Sequence, residues 1–282
     1  MVEEVIILNP QEFEKKKKFF LEGGKEKIHV ISDFDRTLTN AFVNNIKVPS
    51  VISILRDKNY LTTEYQNKAK SLFEKYHPIE MNLNISLNEK KRTMNEWWNK
   101  HFDLLIQSGL SKNDLKNILD EGIIRFREGV LNFLDFLNNY KIPLIILSSN
   151  GVGETIPMFL EKNHKMYSNI HIITNLYEWD SKGKAIDIKK PIIHTMNKDE
   201  TIVKNYSFFN LIKSRKNVIL IGDSLSDLYM IKGFNYDNII TIGFLNEDIE
   251  KNLEEYKKNF DIVITNDGDF NFVNRLLNDI IK

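Results

Sequence analysis

Two acidic segments follow short apolar runs and carry side chains that phosphate chemistry uses. Asp33-Phe34-Asp35 comes directly after Ile28-His29-Val30-Ile31-Ser32, and Asp223-Ser224-Leu225-Ser226-Asp227 comes after Asn217-Val218-Ile219-Leu220-Ile221-Gly222. Because side chains alternate along an extended chain, both carboxylates of the first segment lie on the same side. Ligands of an open parallel sheet bind at the carboxyl ends of its strands. Carboxylates at two such ends predict a site for a hard cation such as Mg²⁺, with water and phosphate as its other ligands.

Each acidic segment has a simpler explanation when it is taken alone. An Asp-x-Asp sequence is common in turns, and it also occurs in other metal-using folds such as nucleotide-sugar transferases. Asp223 could cap a helix that begins near Ser226. The presence of both segments at the ends of predicted strands, with Thr37 and Thr39 beside the first, favours the metal site.

A third segment has the composition of an anion site. Leu147-Ser148-Ser149-Asn150-Gly151-Val152-Gly153 combines hydroxyl groups with glycines after another apolar run. Such a turn lets backbone N–H groups approach an anion closely, with a helix N-terminus behind them. An ordinary Ser/Asn/Gly turn is the alternative. Lys198, shortly before the run that ends at Gly222, could balance the charge of a phosphate, although the chain has many other lysines.

The elements that must position these segments are typical of an α/β sheet. The apolar runs are short, rich in β-branched residues and nearly continuous, which indicates strands of a parallel sheet covered on both faces. The predicted strands are Ile28–Ile31, Pro143–Leu147, Ile170–Ile173, Asn217–Ile221, Ile239–Ile242 and Asp261–Ile264. Helical patterns lie between them, for example over Gly129 to Tyr140 and Glu247 to Phe260. Alternating strands and helices predict a doubly wound fold.

The stretch from about Phe42 to Asp120 interrupts this alternation. Four helical patterns follow one another there, and no convincing strand is predicted. They cover Val48 to Tyr60, Thr62 to Tyr76, Leu87 to Ile106, and Ser111 to Leu119, with Thr62 and Thr63 as candidate N-caps and Ser111 and Asp114 at capping-box spacing. We therefore expect a core formed by residues 1–41 and 123–282 and a mainly helical inserted domain over residues 42–122.

Composition excludes several classes of protein and site. Lys+Arg and Asp+Glu both number 39, so no overall charge favours nucleic acid or an anionic membrane. The absence of cysteine excludes disulfides, thiolate metal sites and cysteine nucleophiles. The N-terminus does not have the pattern of a signal peptide, and no apolar run approaches the ~20 residues of a membrane-spanning helix. We expect a cytoplasmic monomer with neither a nucleic-acid polymer nor a membrane as partner.

The four segments around Asp33, Ser149, Lys198 and Asp223 resemble, in order, the four motifs of the haloacid dehalogenase superfamily. That pattern is Asp-x-Asp-x-Thr, then Ser or Thr, then Lys, then Gly-Asp-x-x-x-Asp. The resemblance implies a Rossmann-like parallel-sheet core and a reaction through an aspartyl phosphate. It also implies that the helical insertion is a cap between the first two motifs.

Along nearly its whole length the chain further resembles the cytosolic 5′-nucleotidase III family, the pyrimidine 5′-nucleotidases. The supporting segments are Ile31 to Thr39, Tyr76 to Glu80, Glu96 to Lys100, Gly151 to Glu154, Ile193 to Lys198, Ile221 to Ser224, Phe244 to Glu247, Tyr256, and Asp261 to Val263. This resemblance implies Mg²⁺-dependent hydrolysis of nucleoside 5′-monophosphates, either pyrimidine nucleotides such as CMP and UMP or 7-methyl-GMP.

The same resemblance implies a role for individual residues. Asp33 would be the nucleophile, Asp35 the general acid, and Lys198 the cation that holds Asp33 and the phosphate. Mg²⁺ would be bound by Asp33, by the backbone carbonyl of Asp35 and by Asp223, with Asp227 supporting the site from close by. The phosphate would contact Ser149 and a backbone N–H of Asn150. The base would contact Glu80, Trp98 and His101.

Three departures from the family pattern leave questions open. The second motif has one extra residue, so that counting back from Gly151 selects Ser149 as the phosphate-binding hydroxyl and counting forward from the strand selects Ser148. Ser226 replaces a glycine of the fourth motif, and the segment after Phe42 differs in length. Two other functions remain possible at this point, namely a phosphatase of another small monoester, such as phosphoserine or a sugar phosphate, and a non-catalytic nucleotide-binding protein.

Overall fold

The computed structural model describes residues 4–58, 60–82, 84–198, 203–204, 206–232 and 235–281. The strands are β1 (Val5–Ile7), β2 (Ile28–Ser32), β3 (Phe42–Val43), β4 (Ile46–Lys47), β5 (Leu144–Leu147), β6 (Ile170–Ile173), β7 (Tyr177–Trp179), β8 (Ala185–Ile188), β9 (Asn217–Gly222), β10 (Asn238–Leu245) and β11 (Ile262–Thr265). The helices are α1 (Pro10–Gly23), α2 (Val51–Asp57), α3 (Thr63–Met81), α4 (Leu87–Gln107), α5 (Lys112–Asp120), α6 (Val130–Tyr140), α7 (Thr155–Lys162), α8 (Phe209–Ile212), α9 (Ile249–Asn259) and α10 (Asn271–Ile280). Short 3₁₀ helices occupy Lys25–Lys27 and Leu225–Ile231.

Seven strands form the central sheet in the order β1-β11-β10-β9-β2-β5-β6. All neighbours are parallel except β1, which pairs antiparallel with β11. The six predicted strands are all present, and the prediction of a parallel-sheet α/β core is confirmed. Every residue of β2, β5, β9 and β11 is buried, as continuous apolar runs between two layers of helices require.

The strand order brings the two acidic segments together. Strand β2 lies between β9 and β5, with Ser32 opposite Ile221. The pairing continues one residue further, because the Asp33 N–H donates to the Ile221 carbonyl across 3.0 Å. The carboxyl ends of β2 and β9 are therefore adjacent, and the segments that follow them lie side by side.

Strand β1 is one element that the sequence pattern did not predict. It has three residues, all half-buried, and its register places Val5 opposite Ile264 of β11. A run of this length has no periodicity from which to predict a strand. Pairing with the neighbouring strand β11, rather than the intrinsic strand propensity of its residues, gives β1 its extended conformation.

The inserted stretch contains the four predicted helices, α2 to α5, with two differences. A hairpin of two-residue strands, β3 and β4, precedes them, so the expectation of no strand in this stretch is wrong at residues 42–47. Helix α3 also continues beyond the predicted end at Tyr76 and includes Pro78, a residue type that usually ends a helix. The predicted N-cap at Thr62 and the capping box of Ser111 with Asp114 are confirmed.

A second hairpin, β7–β8, comes much later in the chain but packs against these helices. The Ala185 N–H donates to the Leu110 carbonyl across 2.8 Å, and the Lys112 N–H donates to the Gly183 carbonyl across 2.9 Å. The ring of Tyr177 meets Phe102 of α4 edge-on, with 5.8 Å between ring centroids. Among the described residues, no helix is both long and apolar enough to cross a membrane.

Candidate active site

A buried lysine joins the ends of two neighbouring strands. Lys198 Nζ donates to Asp33 Oδ1, just beyond β2, and to Asp227 Oδ1 beyond β9, the latter across 2.8 Å. The exposed fraction is 4% for Lys198, 7% for Asp33 and 2% for Asp227. A buried ammonium group is stable only when it is paired, and here it has two carboxylate partners. Burial opposes its charge, but Asp227 and Asp33 raise the pKa of Lys198 above its usual value.

Three carboxylates converge beside this lysine. Oxygens of Asp33, Asp223 and Asp227 all lie within 4.8 Å of one another. Burial raises the pKa of Asp33; Lys198 opposes this effect, whereas Asp227 and Asp35 add to it. Burial likewise raises the pKa of Asp223, and its carboxylate neighbours increase the effect. Lys198 and Arg36, whose Nε lies 4.0 Å from Asp223 Oδ2, do not balance the three carboxylates. A set of hard oxygen donors with excess negative charge fits a divalent cation such as Mg²⁺.

Asp227 is also tied to the backbone of its own loop. Its Oδ2 accepts the N–H groups of Asp223 (3.1 Å) and Ser224 (3.0 Å). A Cβ atom on Gly222 would lie 2.4 Å from Asp227 Cβ, so only glycine allows this close approach. Both carboxylate oxygens of Asp227 thus have protein partners, an arrangement that suits support of the metal site more than direct coordination.

Asp35 contacts the second motif. Its Oδ2 accepts the side-chain amide of Asn150 across 3.0 Å. Burial raises the pKa of Asp35, while the hydrogen bond from Asn150 opposes that shift. Its side chain is not one of the three converging carboxylates. The metal contact expected of Asp35 involves its backbone carbonyl and stays a prediction.

The two serines of the second motif have different environments. Ser148 is buried, and its Oγ accepts the Asn150 N–H across 3.1 Å. Ser149 lines a cavity together with Asp35. This geometry favours Ser149 as the hydroxyl that contacts phosphate. The backbone N–H of Asn150, which we expected to contact phosphate, already has an acceptor here, so that contact would require the loop to rearrange.

The cavity of about 220 Å³ lies between the catalytic segment and the inserted helices. The core contributes Asp35 and residues 149–151, and the inserted stretch contributes aliphatic, aromatic and polar side chains. The lining residues are Asp35, Ser50, Ile52, Ser53, Arg56, Phe73, Trp97, Trp98, His101, Ser149, Asn150 and Gly151. A Cβ atom on Gly151 would lie 2.5 Å from the Trp98 ring, so glycine is required where the core meets this aromatic wall.

The residues predicted to contact a base are not all in one place. Trp98 and His101 line the cavity, with 5.9 Å between their stacked rings. His101 Nε2 is 3.1 Å from the Tyr65 hydroxyl, and burial lowers its pKa to about 4, so the ring is neutral at pH 7. Within the described part of the chain, Glu80 is not among the residues that line the cavity. Its Oε1 instead accepts the Thr195 hydroxyl across 2.9 Å.

Arg127 is a site residue that the sequence pattern did not reveal. Its side chain is buried and donates to the carbonyls of Arg36 (2.6 Å), Thr37 (3.0 Å) and Gly268 (2.6 Å). It also pairs with Asp267 across 2.8 Å. The guanidinium thereby holds the turn after Asp33 and Asp35, in which Arg36 has a positive φ of 62°. Nothing in the local sequence distinguishes this arginine from an exposed one.

Comparison with known proteins identifies the family. A family model described as Pyrimidine 5′-nucleotidase (UMPH-1) matches residues 36–281. The 7-methylguanosine phosphate-specific 5′-nucleotidase of Gallus gallus is 34% identical over 261 residues, which cover 92% of this chain and 90% of the relative. The crystal structure of cytosolic 5′-nucleotidase IIIB bound to cytidine has a TM-score of 0.86 at 27% identity, covering 98% of this chain and 93% of the other.

A more distant structure shares the fold alone. A HAD family hydrolase of Salmonella enterica has a TM-score of 0.55 at 15% identity, covering 98% of this chain and 82% of the other. The match to the family model spans most of the chain and includes the inserted helices and the strands of the central sheet from β5 onward. The chain therefore belongs to the pyrimidine 5′-nucleotidase family, and its four motifs resemble those of the haloacid dehalogenase superfamily.

Proposed function

We propose that this protein is a Mg²⁺-dependent 5′-nucleotidase that removes the phosphate of nucleoside 5′-monophosphates. The observation that carries the proposal is the wall of the cavity, which includes Asp35 and Ser149 as well as Trp98 and His101. A phosphate held next to Asp33 would place its esterified nucleoside in that cavity. Aromatic faces stack on bases, so the cavity suits a nucleoside better than a small polar alcohol.

The metal would be held by Asp33, Asp223 and the backbone carbonyl of Asp35. Bound there, Mg²⁺ would neutralise the carboxylates and withdraw charge from the phosphoryl oxygens. Asp227 would keep the loop of Asp223 in place through its two backbone hydrogen bonds. Lys198 would remain protonated between Asp33 and Asp227. Its ammonium group would add a positive charge to the site in addition to that of the metal.

Asp33 would act as the nucleophile. An oxygen of its carboxylate attacks phosphorus, the bond between phosphorus and the nucleoside O5′ breaks, and an aspartyl phosphate forms. Lys198 favours the ionised form of Asp33 and would draw one phosphoryl oxygen toward it. Ser149 would hold another oxygen with its hydroxyl. Positioning and charge compensation of this kind supply most of the catalysis in phosphoryl transfer.

Asp35 would donate the proton that the leaving O5′ requires. Burial raises the pKa of Asp35, which favours the protonated form needed for that step. Once ionised, Asp35 would accept a proton from the water that attacks the phosphorus of the aspartyl phosphate. That attack breaks the bond to Asp33, releases inorganic phosphate and restores both carboxyl groups.

The base would stack on Trp98 beside the neutral ring of His101. Glu80 could accept a hydrogen bond from an exocyclic amino group, a contact that distinguishes cytosine or guanine-type edges from uracil. Thr195 donates to Glu80 Oε1, and His77 Nδ1 lies 3.3 Å from Glu80 Oε2, so an exocyclic amino group would bind Glu80 in competition with His77. The proposed substrates are pyrimidine nucleotides such as CMP and UMP, or 7-methyl-GMP.

The test is phosphate release from a panel of monoesters, with and without Mg²⁺. CMP, UMP and 7-methyl-GMP should be hydrolysed only with the cation, and faster than phosphoserine or glucose 6-phosphate. Turnover of a sugar phosphate as fast as that of CMP would contradict the proposed substrate class. Nucleotide binding with no phosphate release from any member of the panel would instead identify a non-catalytic binding protein.

The cellular location, the partners and the oligomeric state of this enzyme are also part of the proposal. A solved relative is a cytosolic 5′-nucleotidase bound to cytidine, which supports a cytoplasmic enzyme that acts on free nucleotides. The balanced charge of the chain gives no reason to expect a nucleic-acid polymer or a membrane as partner. We propose a monomer, and sedimentation of the purified protein would test that state.

A further inference from the structure

Asn175 lies between the two loops that carry Ser149 and Lys198. It comes shortly after β6, and its exposed fraction is 0%. Its Nδ2 donates to the carbonyls of Asn150 (3.1 Å) and Ile193 (2.8 Å), and its Oδ1 accepts the Ile193 N–H across 2.8 Å. One buried side-chain amide therefore makes three hydrogen bonds to the backbones of two separate loops.

Hydrogen bonds within the loop from Ile193 to Lys198 fix its conformation, so the position of Ile193 determines the position of Lys198. Asn197 Oδ1 accepts the His194 N–H across 2.8 Å, and Asn197 Nδ2 donates to the Ile192 carbonyl across 2.8 Å. The Asn197 N–H also donates to the His194 carbonyl across 3.0 Å. A shift of Ile193 would thus be passed to Lys198, since these bonds close the turn between them.

The other loop connects Asn175 to the proposed general acid. Asn150, whose carbonyl Asn175 holds, donates its side-chain amide to Asp35 Oδ2 across 3.0 Å. Asn150 Oδ1 accepts the Val152 N–H across 2.9 Å, and the backbone carbonyl of Asn175 accepts the Gly153 N–H across 2.9 Å. The orientation of the amide that contacts Asp35 therefore depends on the same buried side chain.

We propose that Asn175 is a positioning residue that sets the separation between Lys198 and the loop of Ser149 and Asn150. It touches neither substrate nor metal, and it acts through the two loops that would surround the phosphoryl group. The inference rests on the proposed function for the roles of Lys198 and Asp35. An asparagine suits this position because the loops present two acceptors and one donor to it, and phosphoryl transfer is sensitive to small errors of position.

The test compares N175D with N169D. The substitution at Asn175 keeps the shape of the side chain but replaces the donor toward two carbonyls with an acceptor. Asn169 is a matched control, because it is 9% exposed and donates to the Ile142 carbonyl across 2.7 Å. It lies just before β6, whereas Asn175 follows that strand, so the two residues are at opposite ends of it. Four quantities are measured for each variant: kcat with CMP, kcat with p-nitrophenyl phosphate, inhibition by inorganic phosphate, and the Kd of cytidine.

We expect N175D to lower kcat with both substrates, and to weaken inhibition by phosphate, by at least about tenfold. The Kd of cytidine should stay within about threefold, because the nucleoside would bind to the aromatic wall instead of the two loops. N169D should leave all four quantities near the wild-type values. A purely structural role would not separate phosphate binding from cytidine binding in this way.

Wild-type kcat and phosphate inhibition in N175D would overturn the proposal, as would an equal loss in N169D. If N175D does not fold, judged by thermal unfolding, N175A takes its place and must show the same separation. A wild-type protein that hydrolyses p-nitrophenyl phosphate but no nucleotide would refute the proposed substrate class. The role of Asn175 would then still be decided by the comparison on p-nitrophenyl phosphate.

Discussion

Lys198 Nζ lies 2.8 Å from Asp227 Oδ1, and the same ammonium group also donates to Asp33. The two carboxylates follow different strands, β2 and β9, and the lysine comes from a third segment of the chain. All three side chains are buried, so the free energy of this cluster depends on complete pairing. The arrangement holds the proposed nucleophile in place before a substrate arrives, and Lys198 favours its ionised form against the effect of burial.

The first prediction concerns the nucleophile. D33N should lower kcat by at least about a thousandfold, because an amide cannot form the acyl phosphate. The side chain keeps its size and Asp227 remains as a carboxylate partner of Lys198, so the variant should still fold and bind CMP. Phosphate release is the measurement, with CMP binding as the control. Substantial residual turnover would remove Asp33 from the role of nucleophile.

The second prediction concerns the metal site. D223N should raise the Mg²⁺ concentration that gives half-maximal activity by at least about tenfold, because one of the charged oxygen ligands is lost. D279N is a control with the same change of charge, since Asp279 lies in α10 and pairs with Lys17 of α1. Chelation of Mg²⁺ should abolish the activity of all three proteins. An unchanged Mg²⁺ requirement in D223N would argue against its place in the site.

The third prediction concerns base selection. E80A should change the ratio of CMP to UMP turnover more than the rate with p-nitrophenyl phosphate, which has no base. T195V removes the hydroxyl that donates to Glu80 Oε1 and should shift the same ratio in the same direction by a smaller amount. The measurement is the rate of phosphate release from CMP, UMP and p-nitrophenyl phosphate by each variant. If E80A leaves the order of bases unchanged, Glu80 does not read the base.

The fourth prediction concerns stability. R127M should lower the free energy of unfolding by about 3–5 kcal/mol, because Asp267 loses its buried partner and several carbonyls lose their donors. R127K keeps the positive charge and should lose less. Urea unfolding at neutral pH measures both values. A loss below about 1 kcal/mol in R127M would mean that the turn after the catalytic aspartates does not depend on Arg127.

The fifth prediction concerns the pH dependence of stability. Burial lowers the pKa of His101 to about 4 in the folded protein, against about 6.5 in an unfolded chain. Because the folded pKa is the lower one, this stabilisation is fully present above about pH 6.5 and is lost as the pH falls toward 4. Between pH 7 and pH 5 the wild type should lose about 2 kcal/mol more than H101Q. Urea unfolding of both proteins tests this difference, and equal losses would contradict it.

Much of the fold and of the proposed catalytic machinery could be predicted from the sequence. Strands such as β2 and β9 are continuous apolar runs, and such runs indicate buried parallel strands wherever they occur. Asp33, Asp35 and Asp223 stand directly after those runs, so their place at one edge of the sheet follows from chain order alone. The motif resemblance then gave each carboxylate its expected role.

The tertiary structure decided which distant residues hold that machinery. Asn175 and Arg127 act through backbone carbonyls, and a hydrogen bond to a carbonyl leaves no pattern of residue types in a sequence. The contact between Thr195 and Glu80 depends on how the inserted helices lie on the core. The difference between Ser148 and Ser149 likewise depends on the direction in which the turn carries each side chain.

The sequence by itself therefore determined the parallel sheet, the helices of the inserted stretch and the acidic residues at the strand ends, because these follow from short-range periodicity and residue type. Only the tertiary structure decided how Lys198 is shared between Asp33 and Asp227, and which cavity Asp35 and Ser149 line. Such contacts join residues far apart in the chain. Their geometry is set by the packing of whole elements, and local sequence carries no signal of it.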